Sequence, residues 1–279
     1  KQGRCMNNFT NTVGFITGGA AGIGLGVGRA LGSQGMTLVL ADVESDTLEQ
    51  AAAELRDEGI VVFTEVLDVR DAEAYKAVAE RTLAQHGKVN FLFNNAGVGG
   101  GHFMAGETPL QDWRWVVDVN LLGVVYGVEF FLPAMRALGE PCYIINTASL
   151  AGHVANPGMA AYSATKFAVV GYSESLRYEL EGSAVEISVL CPAWVKTRIA
   201  QSRRNHPDAA EAAMGSQDGM NKIDHIIAKQ GISVEALAER VVQGMASGTF
   251  YLFTHAHFWP AVKERLDRIT ADYQAVIPD

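Results

Sequence analysis

Short apolar segments alternate with segments of helical periodicity along the whole chain. The apolar segments, several of them rich in β-branched residues, are 13–17, 38–41, 61–66, 89–93, 143–146, 186–190 and 250–253. The helical segments are 22–34, 45–58, 71–86, 112–137, 161–181 and 234–245. Strands that are apolar throughout are typical of a parallel sheet covered by helices on both faces. Because crossovers between parallel strands are right-handed, the pattern predicts an α/β fold with a Rossmann-like, doubly wound sheet of about seven strands.

The alternation continues without a break in composition, and we therefore predict one domain over 12–279 after an N-terminal extension at 1–11. Met6 is a candidate initiator, and residues 1–5 would then derive from expression of the protein. The polar segment 199–231 interrupts the alternation, and connections of that length in compact domains are commonly lids. We interpret it as a mobile lid with short helices; a plain surface excursion is the alternative.

Charge and hydropathy exclude several classes of partner. The chain carries a formal net charge of −9, whereas nucleic-acid binders carry a basic face. No apolar run approaches the roughly 18 residues of a transmembrane helix, and the polar first residues are unlike a signal peptide. The three cysteines, Cys5, Cys142 and Cys191, are far apart and predict neither a disulfide framework nor a metal site. We expect a cytoplasmic protein with no nucleic-acid, membrane or metal partner.

A glycine-rich turn follows the first predicted strand, from Thr17 to Gly24. Gly18, Gly22 and Gly24 would let the backbone approach a diphosphate, and the start of the next helix supplies N–H groups and a positive dipole end. A tight turn without a ligand also needs glycine. The position of the turn in the first strand-turn-helix unit favours a nucleotide site.

Acidic residues follow the second and third predicted strands. Asp42 is placed to accept hydrogen bonds from the adenosine ribose hydroxyls and would repel a 2′-phosphate. No Arg or Lys stands at positions 20, 21 or 43 to offset that charge, which favours NAD over NADP. Asp68 and Val69 are placed to contact the adenine. The alternative for Asp42 and for Asp68 is a simple helix cap.

Three further features carry chemistry. Tyr162 and Lys166, at spacing i and i+4, share one face if the segment is helical, and an ammonium beside a phenol would lower the tyrosine pKa from about 10 toward neutrality. Chance neighbours on a surface helix are the alternative. The strand-end sequence Asn94-Asn95-Ala96-Gly97 would bridge strand backbones and leave room for a cofactor, or form an Asx turn. Asn120, inside an apolar helical segment, is either a structural hydrogen-bonding residue or part of a proton relay.

These features occur in the order expected of one family, and together they span most of the chain. They are Thr17-Gly-x-x-x-Gly-x-Gly24, Asn94-Asn-Ala-Gly97, Asn120, Ser149, Tyr162-x-x-x-Lys166 and Pro192-Ala-x-Val195-x-Thr197. The chain resembles the short-chain dehydrogenase/reductase family, in its compact subgroup of NAD(P)-dependent members. It departs from the family at Ala193, where glycine is usual.

The resemblance implies a catalytic set of Asn120, Ser149, Tyr162 and Lys166. Tyr162 would be the acid/base, Lys166 would lower its pKa and hold the nicotinamide ribose, Ser149 would orient the substrate oxygen, and Asn120 would hold a water. The implied cofactor is NAD, with these residues in its site: Gly18, Gly22, Ile23, Gly24, Asp42, Asp68, Val69, Asn95, Ala96, Gly97, Tyr162, Lys166, Pro192, Val195 and Thr197.

The presumed substrate mouth is largely apolar. Its predicted contacts are Leu150, His153, Met159 and Trp194, with His153 a packing residue as the alternative. Basic residues that would bind a carboxylate come only from Arg198, Arg203 and Arg204. We therefore predict a bulky, hydrophobic or aromatic secondary alcohol and its ketone as substrate. The segment 225–255 distantly resembles bacterial Cα-dehydrogenases of lignin-type aryl alcohols.

The C-terminal segment 259–273 has an apolar face that would pack against another subunit. Family members are usually dimers or tetramers, so we expect a homodimer or homotetramer; packing within its own subunit is the alternative for this helix. Two other functions compete with a dehydrogenase: a cofactor-binding redox sensor or scaffold without turnover, and a non-redox lyase or epimerase on the same fold.

Overall fold

Seven strands form a single parallel sheet in the computed structural model, which describes residues 8–208 and 216–276. The strands are β1 Val13–Thr17, β2 Thr37–Asp42, β3 Val62–Val66, β4 Phe91–Asn94, β5 Cys142–Thr147, β6 Val185–Cys191 and β7 Tyr251–Phe253. Their spatial order is β3-β2-β1-β4-β5-β6-β7. The predicted doubly wound parallel sheet is confirmed, with strand ends displaced by at most two residues from the sequence pattern.

Helices cover both faces of this sheet. They are α1 Gly22–Gly32, α2 Ser45–Asp57, α3 Ala72–His86, α4 Leu110–Val117, α5 Gly123–Leu138, α6 Ala160–Glu179, α7 Gln217–Gln230, α8 Val234–Ser247 and α9 Trp259–Gln274. Successive strand residues point to opposite faces. Phe15 and Val39 therefore belong to one core, and Ile16, Leu38 and Leu40 belong to the core on the other face.

The predicted helix 112–137 is the largest correction to the sequence pattern. The structure divides it into α4, a π-helical turn at Asp118–Leu122 and α5. The continuous run Leu110–Leu138 is long and apolar enough to cross a membrane by composition alone, but 56% of its most apolar window is buried inside this protein. Its apolar surface is covered by the sheet and by α3, as expected for a core helix.

Strands β1 to β3 extend the sheet in one direction, and strands β4 to β7 extend it in the other. The order therefore reverses between β1 and β4, which are neighbours in the sheet. In open parallel sheets the crevice at such a switch point, beyond the carboxyl ends of the strands, is where ligands bind. The predicted lid lies over this end of the sheet. It contains a 3₁₀ helix at Ile199–Asn205 and α7; positions 209–215 of the predicted lid, like 1–7 of the N-terminal extension, lie outside the described residues.

Candidate active site

A cleft of about 480 Å³ opens at the carboxyl ends of the strands, beside the switch point. Volumes of this order are typical of cofactor and substrate sites. Most of the residues proposed from the sequence line it, namely Gly18, Gly22, Ile23, Asp42, Asp68, Val69, Asn95, Ala96, Gly97, Ser149, Leu150, Met159, Tyr162, Lys166, Pro192, Trp194, Val195 and Thr197. Gly24, Asn120 and His153 are absent from this lining and are considered below.

The glycine turn brings two backbone segments too close together for side chains. Gly18 and Gly22 adopt left-handed φ angles of +64° and +56°, which glycine tolerates readily. A Cβ on Gly24 would lie 2.2 Å from the Gly18 carbonyl oxygen. Gly24 is therefore required for the close packing of α1 against the turn, and its place in a cofactor site stays a prediction. The N-cap of α1, Ala21, provides no side-chain hydrogen bond, so the first N–H groups of α1 are available to an anion.

Asn95 fixes the position of the glycine turn. Its Nδ2 donates to the carbonyl oxygens of Thr17 (3.0 Å) and Gly18 (3.2 Å), while the Thr17 Oγ1 accepts from the backbone N–H groups of Asn95 and Ala96. Asn94, buried below, donates from Nδ2 to the Asn146 Oδ1 (2.9 Å). The asparagine pair thus bridges neighbouring strand ends, as the sequence suggested.

The Asp42 carboxylate lies at the end of β2, and each of its oxygens accepts one backbone hydrogen bond. Oδ2 accepts from Ala20 N (3.0 Å) and Oδ1 from Glu44 N (3.1 Å). Burial raises the pKa of Asp42, and these hydrogen bonds oppose the rise. The N-cap of α2 is Glu44, so Asp42 is not a simple helix cap. Each oxygen keeps a further lone pair for a ligand hydroxyl.

The Asp68 carboxylate forms a bidentate ion pair with Arg70, with a shortest distance of 2.6 Å. Although burial opposes it, the hydrogen bonds and charge of Arg70 lower the pKa of Asp68. The cap of α3 is Asp71, whose side chain accepts from Ala74 N, so the capping alternative for Asp68 is excluded. Asp68 and Val69 line the cleft beside Asp42.

Tyr162 and Lys166 lie one turn apart in α6. Lys166 Nζ is 5.6 Å from the centroid of the Tyr162 ring and donates to the Thr147 carbonyl oxygen (2.9 Å). Burial lowers the pKa of Lys166 to about 8. The predicted fall in the Tyr162 pKa is wrong for the chain alone, because burial raises that pKa and only a hydrogen bond with Ser149 opposes the rise. The lysine charge is directed at the Thr147 carbonyl instead of the phenol.

Ser149 is anchored at the end of β5, with its side chain 8% exposed. Its Oγ donates to the Pro192 carbonyl oxygen (3.2 Å) and accepts from Ala151 N (3.1 Å). The second bond caps the 3₁₀ turn Leu150–Gly152. These bonds hold the hydroxyl beside Tyr162, so the two hydroxyls form one polar pair in the cleft wall.

Asn120 lies in the π-helical turn and is fully buried. Its Oδ1 accepts from Val98 N (2.8 Å), and its Nδ2 donates to Val98 O (2.9 Å) and Thr165 Oγ1 (3.3 Å). The side chain therefore joins the loop after β4 to α6, which favours the structural role. A water held at Asn120 stays a prediction.

The substrate end of the cleft is apolar on both sides. Leu150, Val154, Met159 and Trp194 line one wall, and lid and C-terminal residues missed in the sequence line the other: Met220, Ile223, Ile227, Phe258 and Ala261. The spacing of 220, 223 and 227 on an amphipathic helix was the signal that would have found the residues of α7.

The predicted substrate contact at His153 is corrected by the structure. Its Nε2 lies 3.3 Å from Cys191 Sγ, and its ring packs on Tyr251 and Phe253 of β7. Burial lowers the pKa of His153. The 3₁₀ turn that begins after Ser149 directs the ring toward the sheet edge rather than the cleft, so the packing alternative is correct.

The lid arginines are paired with acidic residues. Arg203 Nη1 lies 2.7 Å from Asp112 Oδ2 in a buried ion pair, and Arg204 lies 2.5 Å from Glu44. Arg198 also faces Glu44, at 3.9 Å. A substrate carboxylate would therefore have to compete with an existing partner at each of these residues.

The fold and these residues define an oxidoreductase of the short-chain dehydrogenase type. A family model described as short chain dehydrogenase matches residues 12–208, and the chain belongs to this family. It is 34% identical to a C alpha-dehydrogenase of a Sphingobium species over 98% of this chain and 87% of that protein. It is 33% identical to a 1-deoxy-11-beta-hydroxypentalenate dehydrogenase of Streptomyces exfoliatus, over 91% and 86% of the two chains.

A solved short-chain dehydrogenase/reductase from Burkholderia phymatum, in complex with NAD, superposes with a TM-score of 0.91 at 36% identity, over 96% of this chain and 97% of that chain. Solved structures of the same fold contain NAD in some cases and NADPH in others. The residues of this chain fit such a dinucleotide, since Gly18, the uncapped N–H groups at the start of α1 and the Asp42 carboxylate lie along one cleft.

Proposed function

We propose that the protein is an NAD-dependent oxidoreductase that interconverts a bulky, hydrophobic or aromatic secondary alcohol and its ketone. The observation that carries this proposal is one continuous cleft with two ends. Asp42 lies at the dinucleotide end, and the Ser149–Tyr162 hydroxyl pair with Lys166 lies where that end meets the apolar wall.

In the proposed reaction a bound nicotinamide supplies the hydride acceptor for oxidation and the donor for reduction. Ser149 and Tyr162 hold the substrate oxygen by hydrogen bonds. The Tyr162 phenolate oxygen takes the hydroxyl proton as the alcohol becomes a ketone, and in the reverse direction the neutral phenol returns that proton to the substrate oxygen. Lys166 stands one turn away and stabilises the phenolate when its ammonium is free to face the phenol.

The preference for NAD rests on Asp42. A carboxylate there offers acceptors to two ribose hydroxyls and repels a 2′-phosphate. The substrate class rests on the paired state of the lid arginines and on the apolar wall of Leu150, Met159 and Trp194. The resemblance to a C alpha-dehydrogenase is consistent with an aryl alcohol.

The same proposal includes a cytoplasmic homodimer or homotetramer that works without nucleic-acid or membrane partners. An exposed apolar stripe on α9 supports self-association, because this helix contains no buried residue.

Replacement of Tyr162 by Phe tests the reaction. We expect kcat for NAD reduction by secondary alcohols to fall by about 10²–10⁴-fold, since the proton acceptor is lost, while the Kd for NAD changes little. The rate of NADH formation with alcohols graded by size and aromaticity measures kcat. Calorimetry measures the Kd for NAD.

The matched control is Tyr172→Phe, which removes a hydroxyl further along the same helix. It should keep the wild-type rate. NADH formation that persists in Tyr162→Phe would refute the assigned acid/base. A wild-type protein that binds NAD but reduces none of it with any alcohol would favour the sensor or the lyase and epimerase alternatives.

A further inference from the structure

Three lid side chains converge on Glu44, two residues beyond Asp42. Its Oε1 accepts from Arg204 Nη2 (2.5 Å) and Asn205 Nδ2 (2.8 Å), and its Oε2 lies 3.9 Å from Arg198 Nη2. The Glu44 side chain is only 19% exposed, whereas the guanidinium-bearing side chains are 37% and 49% exposed. Although burial opposes it, hydrogen bonds from Asn205 and Arg204 lower the pKa of Glu44.

This cluster lies at the dinucleotide end of the cleft. Asp42, Glu44, Arg198 and Arg204 all line the cleft, and Glu44 N donates to Asp42 Oδ1. The adenosine ribose that Asp42 would bind therefore stands beside two guanidinium groups supplied from the 3₁₀ segment of the lid. Guanidinium is the side-chain group best suited to a phosphate.

The local charges determine how strongly this cluster would attract a 2′-phosphate. Two carboxylates, Asp42 and Glu44, face two guanidiniums, Arg198 and Arg204, so the existing cluster offers little net attraction to a dianion. Each guanidinium is already directed at Glu44. Without the Glu44 charge, two cations would remain against Asp42 alone, and they would be free to turn toward the ribose.

We propose that Glu44 is a specificity-determining residue for the cofactor, which holds Arg198 and Arg204 in ion pairs and so prevents them from binding a 2′-phosphate. This inference rests on the proposed NAD site. The preference for NAD then has two sources: direct repulsion by Asp42, and occupation of the lid arginines by Glu44. The 3₁₀ segment 199–205 and Arg198 before it thereby take part in cofactor selection.

The test is the ratio of Kd values for NADP and NAD, measured by calorimetry on the full chain. In Glu44→Gln the amide keeps the shape and removes the charge, and we expect the NADP/NAD ratio to fall by about 5- to 50-fold. The improved binding of NADP would come from the charges of two partly exposed arginines. The change in the ratio should therefore become smaller as the NaCl concentration rises from about 0.05 to 0.5 M. Adenosine 2′,5′-bisphosphate and 5′-AMP serve as probes without nicotinamide and should show the same shift.

Two further variants separate charge from lid anchoring. Adding Arg198→Gln and Arg204→Gln to Glu44→Gln should restore the wild-type ratio, because the phosphate then has no partner. Glu58→Gln removes a carboxylate in an ordinary ion pair with Arg29 (3.0 Å) just beyond the end of α2 and should leave the ratio unchanged.

An unchanged ratio in Glu44→Gln, or an equal weakening of both dinucleotides, would overturn the inference, since the second result means that Glu44 only anchors the lid. Those results leave the proposed function intact as long as the wild-type protein binds NAD. A wild-type protein that binds neither dinucleotide overturns the proposed function and this inference together.

Discussion

At the scale of single residues, Lys166 stands out because a cation is placed where the side chain is 3% exposed. Its folded-state pKa is about 8 against an ordinary value of 10.5, since burial disfavours the ammonium. Between these two pH values the unfolded chain binds more protons than the folded chain. The free energy of unfolding therefore rises with pH in that window, and below it the buried charge is a constant cost.

Replacing Lys166 by Met should stabilise the protein at pH 7 by about 1–3 kcal/mol, after allowance for the lost hydrogen bond to Thr147. The gain should disappear as pH rises from 8 to 10.5, because the wild-type lysine then loses its proton. Urea unfolding of both proteins between pH 7 and about 10.5 measures this difference in the free energy of unfolding. Lys222→Met, at an exposed position, is the control. A gain that does not vary with pH would show that the charge of Lys166 is not its cause.

The sequence predicted the position of Lys166 on the helix, but it predicted neither the hydrogen-bond partner of this lysine nor its effect on the Tyr162 pKa. The spacing of Tyr162 and Lys166 is a local property, so a helix places both on one face in any fold. The direction of the shift in the Tyr162 pKa depends on burial and on which acceptor the Lys166 ammonium contacts. That acceptor, the Thr147 carbonyl, lies on the neighbouring strand β5 and not on α6, so helical spacing does not reveal it. His153 was misplaced for the same reason, because its contacts are with β7.

At the scale of elements, the contact between α5 and β4 depends on one glycine. A Cβ on Gly127 would lie 2.0 Å from Asn94 Oδ1 and 2.7 Å from the Tyr75 hydroxyl oxygen. Asn94 has no freedom to withdraw, since its Nδ2 donates to Asn146. The helix can therefore approach the strand end only where a side chain is missing, and this approach positions the π-helical turn that carries Asn120.

Gly127→Ala should lower the free energy of unfolding by about 1–3 kcal/mol, because the added methyl group overpacks this contact. Gly171→Ala is the matched control: it adds the same methyl group to α6, where no neighbouring heavy atom of the described residues lies within 4 Å. It should raise the free energy of unfolding by roughly 0.5–1 kcal/mol through helix propensity. Equal effects of the two substitutions in urea unfolding would contradict the overpacking.

Hydrophobic periodicity predicted the helices and strands well but missed the π-helical turn, because the turn preserves the apolar pattern through 118–122 while changing its backbone bonding. The segment 199–231 differed from the rest of the sequence in its polarity and length, and its role as a lid stays a prediction. Its contacts with Glu44 and Asp112 were invisible in the sequence, since each joins residues more than 90 positions apart.

At the scale of the whole molecule, the architecture was predictable because short, fully apolar strands that alternate with helices are typical of a parallel sheet covered on both faces. The association of chains was less predictable, because an apolar helical face has the same sequence pattern whether it packs on its own chain or on another chain. In the structure α9 contacts its own chain sparsely, with Arg265 over the Phe167 ring among the described contacts. Several of its large apolar side chains are exposed.

The accessible stripe consists of Leu266 (43% exposed), Ile269 (48%) and Tyr273 (70%) at helical spacing. Such a contiguous apolar face on a helix with no buried residue is expected to be covered by a second copy.

We therefore expect Leu266→Lys with Ile269→Lys to convert the assembled protein to single chains, because two buried charges would oppose the contact. Size-exclusion chromatography with light scattering measures the mass. Val61→Lys, an exposed apolar position beside the opposite edge strand, should keep the wild-type mass; a wild-type protein that elutes as a single chain at micromolar concentration would refute the association.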